Sequence, residues 1–500
     1  VPYSDPHARL LANRRAQRRF RKTEKGKAAR REYAREQSRA KILGRPFVAV
    51  DGEGAGVDLF GRQNYTLLRA GPDVLWKDGA RLTSEECLGF LADLPKGPIY
   101  VGFFFGYDVT QILRDLPTER LQRILGGTKR MLGVEWRGFE IVYLRRKHLR
   151  VRRSGSKHWI TISDTGSFFQ CSFVKALEMW GIGTPEIRAR IQAGKDRRGG
   201  SEITAEDRKY NELECEFLAE LMDRFRAVTD DAGCRPAQWE GPGYLASSLM
   251  RQKGIPKRTD RPELPEDVRD AAIAAYYGGR FELFQFGEIG KSWSYDICSA
   301  YPAAMLKLPC LMHGSWVRAR GRRSGTGPGP WLAHVRFSKG SKYVCDLPIR
   351  TEEKRIVWPR SGSGWYWGCE IEAAERAGTH VRCDQVFKWE QTCDCKPFGW
   401  VPDLYAERKR LGKSGKGIVL KLGINSLYGK TAQSVGSAPY ASPVWAGLIT
   451  SLTRASIIDA YRQIPPDALT MIATDGIYTR CPIPDLDRGD QLGQWEAGTA

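Results

Sequence analysis

The hydrophobic pattern of the 500-residue chain changes texture at Arg45-Pro46. Before that point, residues 8–40 are rich in Arg, Lys, Ala and Glu, with Leu10, Leu11, Phe20 and Tyr33 as the large apolar side chains. Such composition favours helix, but it supplies no continuous apolar stripe to bury. The stretch reads either as a solvated helix or as a segment disordered until it meets phosphate. After it, the β-prone run Phe47–Val50 ends in Asp51-Gly52-Glu53, and strand-like pieces follow at Tyr65–Leu68, Ile99–Phe105, Phe139–Leu144 and Trp159–Ser163. Helical patterns lie between some of them. Thr204–Arg226 reads as a closing helix, with Glu206 and Asp207 in its first turn, where the helix dipole favours acids. The alternation predicts an α/β domain over residues 46–230.

A connector over 231–290 carries Gly241-Pro242-Gly243 and Tyr276-Tyr277-Gly278-Gly279. A second α/β region is expected from about Ser292. Trp293–Asp296 reads as a strand delivering Asp296 to its end, and Leu469–Asp475 with Gly476–Tyr478 reads as a hairpin with Asp475 near its turn. Between them, residues 403–431 read as two helices around the turn Gly412–Gly417, and a Gly-, Pro- and Arg-rich loop falls near Arg320–Pro330. No internal repeat is evident.

Length allows two or three domains with proper cores. A net charge of +21 and a pI near 9.5 point to a polyanionic partner, of which nucleic acid is the commonest. Arg14-Arg15, Arg18-Arg19 and Arg21-Lys22 would release counterions on a nucleic-acid backbone without choosing sequence. The 12 cysteines are scattered, so reduced thiols in a cytosolic compartment are expected. Cys369, Cys383, Cys393 and Cys395 have irregular spacing and no histidine at ligand spacing, which argues against zinc. No apolar run approaches the roughly 18 residues of a membrane span.

Asp296 and Asp475 are the first candidates for chemistry. Two strand-end carboxylates brought together can ligate two Mg²⁺ ions roughly 3.5–4 Å apart, and Mg²⁺ keeps open positions for phosphate. Lys421, Asn425 and Tyr428 fall at i, i+4 and i+7 and are expected to share one helical face, offering a cation, an amide and a ring. Arg408, Lys409 and Arg410 add positive charge on the preceding helix. In the first domain, Asp51 and Glu53 project from the same side of an extended strand. Asp108, after Phe103–Tyr107, adds a third acid, and Tyr210 with Glu214 at i and i+4 adds a hydroxyl and a fourth. Four acids and a tyrosine suit hydrolysis by metal-activated water.

Asp296-x-x-Ser299-x-Tyr301-Pro302, Lys421-x-x-x-Asn425-Ser426-x-Tyr428-Gly429 and Thr474-Asp475, in that order, resemble motifs A, B and C of the family B DNA polymerases. The resemblance implies that Asp296 and Asp475 bind catalytic metals with the backbone of Ile297 assisting. It implies that Tyr301 excludes a ribose 2′-hydroxyl, that Lys421 contacts the triphosphate, and that Asn425, Tyr428 and Lys409 line the nucleotide pocket. Ala473 stands where the family usually has the first Asp of Asp-Thr-Asp. Asp51, Glu53, Asp108 and Tyr210 are similar to the three motifs of a DEDDy-type 3′–5′ exonuclease. Glu214 stands in place of the last Asp, and Phe104 in place of an Asn that contacts single strands. Lys195 is a candidate phosphate contact. Tyr276, Gly278 and Gly279 resemble the element that partitions a primer between synthesis and editing, and with Ser426, Gly429 and Thr474 they are implied to touch DNA.

Local texture at Ile203–Glu206 and Leu492–Trp495 is similar to the compact, protein-primed bacteriophage and mobile-element branch. The fold implied is α/β (α+β): an RNase H-like exonuclease domain at 46–230, a connector at 231–290, a palm at 291–397 and 433–500, and helical fingers at 398–432. The thumb and its Lys-x-Tyr element are not visible in the chain, which implies a weak primer grip. Two Mg²⁺ ions are implied at each site, with Mn²⁺ able to substitute. The implied partners are template-primer DNA, dNTPs and, for the protein-primed branch, a terminal protein; no membrane is expected. A nuclease or DNA-binding replication scaffold with an inactive polymerase half is the alternative. Priming by nucleic acid, by protein or de novo stays open.

Overall fold

The computed structural model describes residues 44–58, 61–77, 80–126, 133–196, 202–319, 329–340, 343–413 and 415–499. The arginine pairs of the N-terminal stretch and most of the Arg320–Pro330 loop lie outside the described residues. The described residues divide into two compact units, those up to 225 with 237–241, and 226–236 with those from 242 onward.

The first unit is built on a mixed sheet. Its strands are β1 (Phe47–Val57), β2 (Gln63–Ala70), β3 (Asp73–Trp76), β4 (Ile99–Gly102), β5 (Val134–Trp136), β6 (Phe139–Leu144), β7 (His148–Arg153) and β8 (Ile160–Asp164). The order is β3-β2-β1-β4-β8-β7-β6-β5, with β1, β4 and β8 parallel and the other pairs antiparallel. Every strand expected from the sequence is present, but β1 continues through both acids to Val57, well beyond the apolar run that announced it. The ladder with β2 carries it: Asp51 faces Arg69 and Glu53 faces Leu67. Val50, Leu68, Leu88, Ile141, Leu149 and Ile162 are fully buried in the core beneath. The helix Ala205–Asp231 follows the sheet.

The second unit holds β9 (Arg280–Leu283), β10 (Trp293–Ile297), β11 (Gly314–Ala319), β12 (Trp331–Ser338), β13 (Ile349–Arg350), β14 (Ile356–Val357), β15 (Ser361–Trp367), β16 (His380–Gln391), β17 (Leu469–Thr474), β18 (Gly476–Thr479) and β19 (Trp495–Thr499). A five-stranded antiparallel sheet runs β19-β10-β18-β17-β9, so β10 sits beside a hairpin nearly 180 residues downstream. A second sheet, β11-β16-β12-β15, fills the interval between Asp296 and the helices that follow. Ile457 and Ile458 of the buried helix Pro443–Tyr461 pack with Ile472, Ile477 and Ile483.

One expectation needs correction. The stretch read as two helices is three: Val401–Leu411, Gly415–Asn425 and Leu427–Thr431. The second break falls at Ser426, where Asn and Ser meet. Their side chains compete for backbone hydrogen bonds and lower helix propensity. Lys421 and Asn425 therefore share a helix that Tyr428 does not.

A buried ion pair joins two helices of this unit. Arg454 donates to both Glu370 oxygens at 2.6 and 2.7 Å, with the two side chains 2% and 0% exposed. Ser451 completes the cluster by donating to Glu370 at 3.0 Å, and Arg454 also donates to the Gly278 carbonyl. Removing one member strands the other charge in low dielectric. Glu370→Ala should cost about 3–5 kcal/mol of stability by urea denaturation, and Glu370→Leu/Arg454→Met should recover most of it. A double variant no more stable than the single one would show that the pair holds more than its own charges.

Candidate active sites

Asp296 and Asp475 come together because antiparallel pairing makes them do so. Asp296 lies opposite Gly476, and Asp475 forms the turn between β17 and β18. The Ile297 N–H donates to the Asp475 carbonyl at 3.1 Å, tying the end of β10 to that turn. A Cβ on Gly476 would lie 3.0 Å from an Asp296 oxygen, so glycine leaves the carboxylate its room. Burial first, then the neighbouring charges of Asp475 and Glu496, raise the Asp296 pKa above the usual carboxylate value. Burial raises that of Asp475. Glu496 faces Asp296 from β19 and was missed by sequence reasoning, since only the β10–β19 register brings it there. Thr474 and Ser299, each beside an acid-bearing strand end, take φ of 65° and 50°. A β-branched residue in the left-handed region is strained, and strain of this kind gathers at functional sites.

Three tyrosines line the neighbouring surface. The Tyr301 ring, on the helix Ala300–Met305, sits 4.4 Å from that of Tyr428, whose hydroxyl bonds the Tyr276 hydroxyl at 2.6 Å. Burial, helped by the Asp475 charge, pushes the Tyr301 phenol up to about 12. Gly279 packs under them: a Cβ there would meet Thr474 at 2.8 Å and the Tyr301 hydroxyl at 3.0 Å. Gly278 has φ of 77°. Ser299 reaches Asn425 at 3.5 Å, while Lys421 and Asn425 are exposed. Gly429 is exposed and a Cβ there would meet nothing, so packing does not require glycine at that position. Lys409 forms an ion pair with Asp490 and also donates to its carbonyl at 2.9 Å.

In the first unit, one oxygen each from Asp51, Glu53 and Glu214 lies within 4.8 Å of the others, a grouping that could hold a metal ion. Asp108 stands outside this trio. It is buried on the helix Gly106–Ile112 and accepts the Tyr65 hydroxyl at 3.0 Å. Gly52, between the two strand acids, makes this possible, because a Cβ there would overlap Tyr65 at 1.9 Å. The Tyr210 hydroxyl is buried, and burial together with the charges of Glu214 and Glu53 raises its pKa strongly. Lys195 pairs with Glu214 at 2.9 Å. Asn211, fully buried, donates to Asp51 at 2.9 Å and accepts from Arg69 at 3.0 Å. Sequence reasoning took Tyr210 and Glu214 and passed over the amide between them. Phe104 takes φ of 51° with its N–H on Asp164 at 3.0 Å, and its ring is half exposed.

The family model for DNA polymerase type B, organellar and viral, matches residues 186–440, half of the chain. A primer-independent DNA polymerase PolB of Escherichia coli is 25% identical over 258 residues, covering 44% of this chain and 29% of that protein. A DNA polymerase of Bacillus phage Nf is 25% identical over 361 residues, covering 62% of this chain and 60% of its own length. The chain thus spans less than two thirds of these relatives. Among solved structures, phi29 DNA polymerase with primer-template DNA superposes with a TM-score of 0.63 at 16% identity, over 90% of this chain and 84% of that one. That likeness establishes the fold.

The raised Asp296 and Asp475 values carry a stability signature. A carboxyl whose pKa rises on folding binds more protons folded than unfolded. It favours the fold at acid pH and opposes it as pH climbs from the ordinary carboxylate range through the raised value. The opposition is therefore greater at pH 7 than near pH 3. Asp296→Asn and Asp475→Asn should each raise the melting temperature of the metal-free chain at pH 7, by about 1–3 °C, and change it little near pH 3. Mg²⁺ should then stabilise the parent chain more than either variant. A lower melting temperature for both variants at pH 7 would contradict the reading.

Proposed function

The chain belongs to the DNA polymerases of type B, organellar and viral, and from that premise we propose that it extends a DNA 3′-hydroxyl with deoxynucleotides on a template and edits with its first unit. The observation that carries this reading is the convergence of Asp296 and Asp475 at one sheet end, beside Tyr301 and Tyr428. The family implies divalent-metal dependence, and the all-oxygen donors here fit Mg²⁺. Asp296 and Asp475, with the Ile297 backbone, would hold two ions, which when bound activate the attacking hydroxyl and neutralise the triphosphate.

The chain's own residues position and select. Tyr301, packed against Tyr428 and close to Gly279, would be the ring that excludes a ribose 2′-hydroxyl. Lys421 is exposed for phosphate, and a triphosphate arriving at Lys409 would displace Asp490. Phosphoryl transfer needs no protein nucleophile, so positioning and electrostatics carry the rate. In the first unit, Asp51, Glu53 and Glu214 would hold metal for hydrolysis of a 3′ terminus. Tyr210 stays protonated throughout the working range and can donate a hydrogen bond to the attacked phosphate or the water. Asp108, held by Tyr65, would be the fourth acid and would serve a second ion or that water.

The relative named as primer-independent favours a chain that also starts synthesis without a primer. Incubation of unprimed single-stranded DNA with dNTPs and Mg²⁺ tests this, product being expected. Its absence, with primed extension intact, would remove the initiation claim alone.

Asp475→Ala should lower primer extension by more than about 100-fold, since even outer-shell changes at metal sites cost ~10–100-fold. Asp51→Ala/Glu53→Ala should abolish degradation of single-stranded DNA and spare extension. Extension surviving the first change, or degradation surviving the second, would refute the respective assignment. Gly429→Ala offers a subtler check. It should leave the melting temperature unchanged or raised, because helix propensity favours alanine. It should weaken primer-template binding several-fold in a gel-shift titration if the duplex backbone passes there, and unchanged binding would remove Gly429 from the DNA path.

A further inference from the structure

We propose that Cys310, His313, Cys393 and Cys395 form a closed, four-ligand Zn²⁺ site in the second unit. One ligand atom from each lies within 4.8 Å of all the others. The sulfurs of Cys310 and Cys395 stand 3.6 and 3.9 Å from the same His313 Nδ1. In a tetrahedral site with Zn–S near 2.3 Å and Zn–N near 2.0 Å, neighbouring ligand atoms are roughly 3.5–3.8 Å apart. The four donors therefore need only small side-chain adjustments to close on an ion.

Sheet register explains why residues some 80 positions apart meet. β11 and β16 are antiparallel with Gly314 opposite Gln391. The chain entering β11 and the chain leaving β16 therefore run side by side at one end of the sheet. The first brings Cys310-x-x-His313 and the second brings Cys393-x-Cys395. Gln391 fastens the two backbones: its carbonyl oxygen accepts from the Cys310 N–H at 2.9 Å, and its amide nitrogen donates to the carbonyls of Cys393 and Cys395. The Thr392 N–H donates to the His313 carbonyl at 3.2 Å. This is the outer support that holds metal ligands in place.

The donor set identifies the ion. Three thiolates and an imidazole are soft to borderline ligands that select zinc over Mg²⁺ or Ca²⁺. Four protein ligands leave no open position, so the role is structural. Cys310 is buried while His313 and Cys395 are exposed, which leaves the ion a route in. The site joins two parts of the polymerase fold. Cys310 follows the helix bearing Tyr301, and Cys395 precedes the helix Val401–Leu411 bearing Lys409. A bound ion would staple these connections across the sheet end. Cys369 and Cys383, paired with Cys393 and Cys395 on spacing alone, are not members.

The test begins with the intact chain, purified under reducing conditions without chelator. Elemental analysis should give about one zinc per chain, released when thiols are blocked by a mercurial. Replacement by Co²⁺ should produce tetrahedral d–d bands and thiolate charge-transfer absorption. Cys393→Ser/Cys395→Ser should lose the metal, whereas Cys369→Ser/Cys383→Ser should keep it in full. A chain that stays metal-free after equilibration with Zn²⁺, or whose zinc content ignores the Cys393/Cys395 change, overturns the site. If that variant does not fold, the cobalt spectrum of the parent decides: no thiolate charge transfer means no site. A disulfide among these cysteines in reduced protein would also overturn it. None of these readouts depends on polymerase activity.

Discussion

Two carboxylates confined at the ends of adjacent strands repel one another, and the core of the second unit is organised to hold them there regardless. Asp296 arrives on β10 and Asp475 on a hairpin that the chain reaches only after a second sheet and several helices. The fold absorbs the repulsion through the β-ladder, the Ile297 hydrogen bond to the Asp475 carbonyl, and the isoleucine core under the hairpin. Divalent cations reverse the sign of that interaction. The site is thus stressed on its own, and under the proposed function that stress would favour ion binding.

The first unit meets the same difficulty differently. Asp51 and Glu53 sit on a strand interior, where burial of charge is costly. Asn211, itself held by a donor from Arg69, donates to Asp51, and Lys195 supplies a positive charge to Glu214. Asp108 is satisfied by Tyr65, whose ring fits only because residue 52 has no side chain. This site is therefore partly compensated without metal, whereas the site at Asp296 and Asp475 is not.

Much of this was legible in the sequence. Strand pieces announced themselves as short apolar runs, and Asp51, Glu53, Asp296 and Asp475 were conspicuous because each ends or interrupts one. What escaped had a common cause: it depends on register between distant strands. Glu496 matters because β19 pairs with β10, and His313 joins Cys393 because β11 pairs with β16. Neither fact has a local signature. The break at Ser426 had one, the Asn-Ser pair, but a heptad-like spacing of Lys421, Asn425 and Tyr428 concealed it.

That break has a consequence for how the second unit is wired. A continuous helix would have carried Tyr428 on the same rigid rod as Lys421. Instead Tyr428 belongs to a short helix, and its hydroxyl contact is with Tyr276, two residues before Gly278, whose carbonyl in turn accepts from the buried Arg454. The tyrosine surface is thus anchored through Tyr276 and Arg454 to the Glu370 ion pair, while Lys421 and Asn425 project from the exposed face of a separate helix whose other face, with Val419, Leu420 and Ile424, is buried.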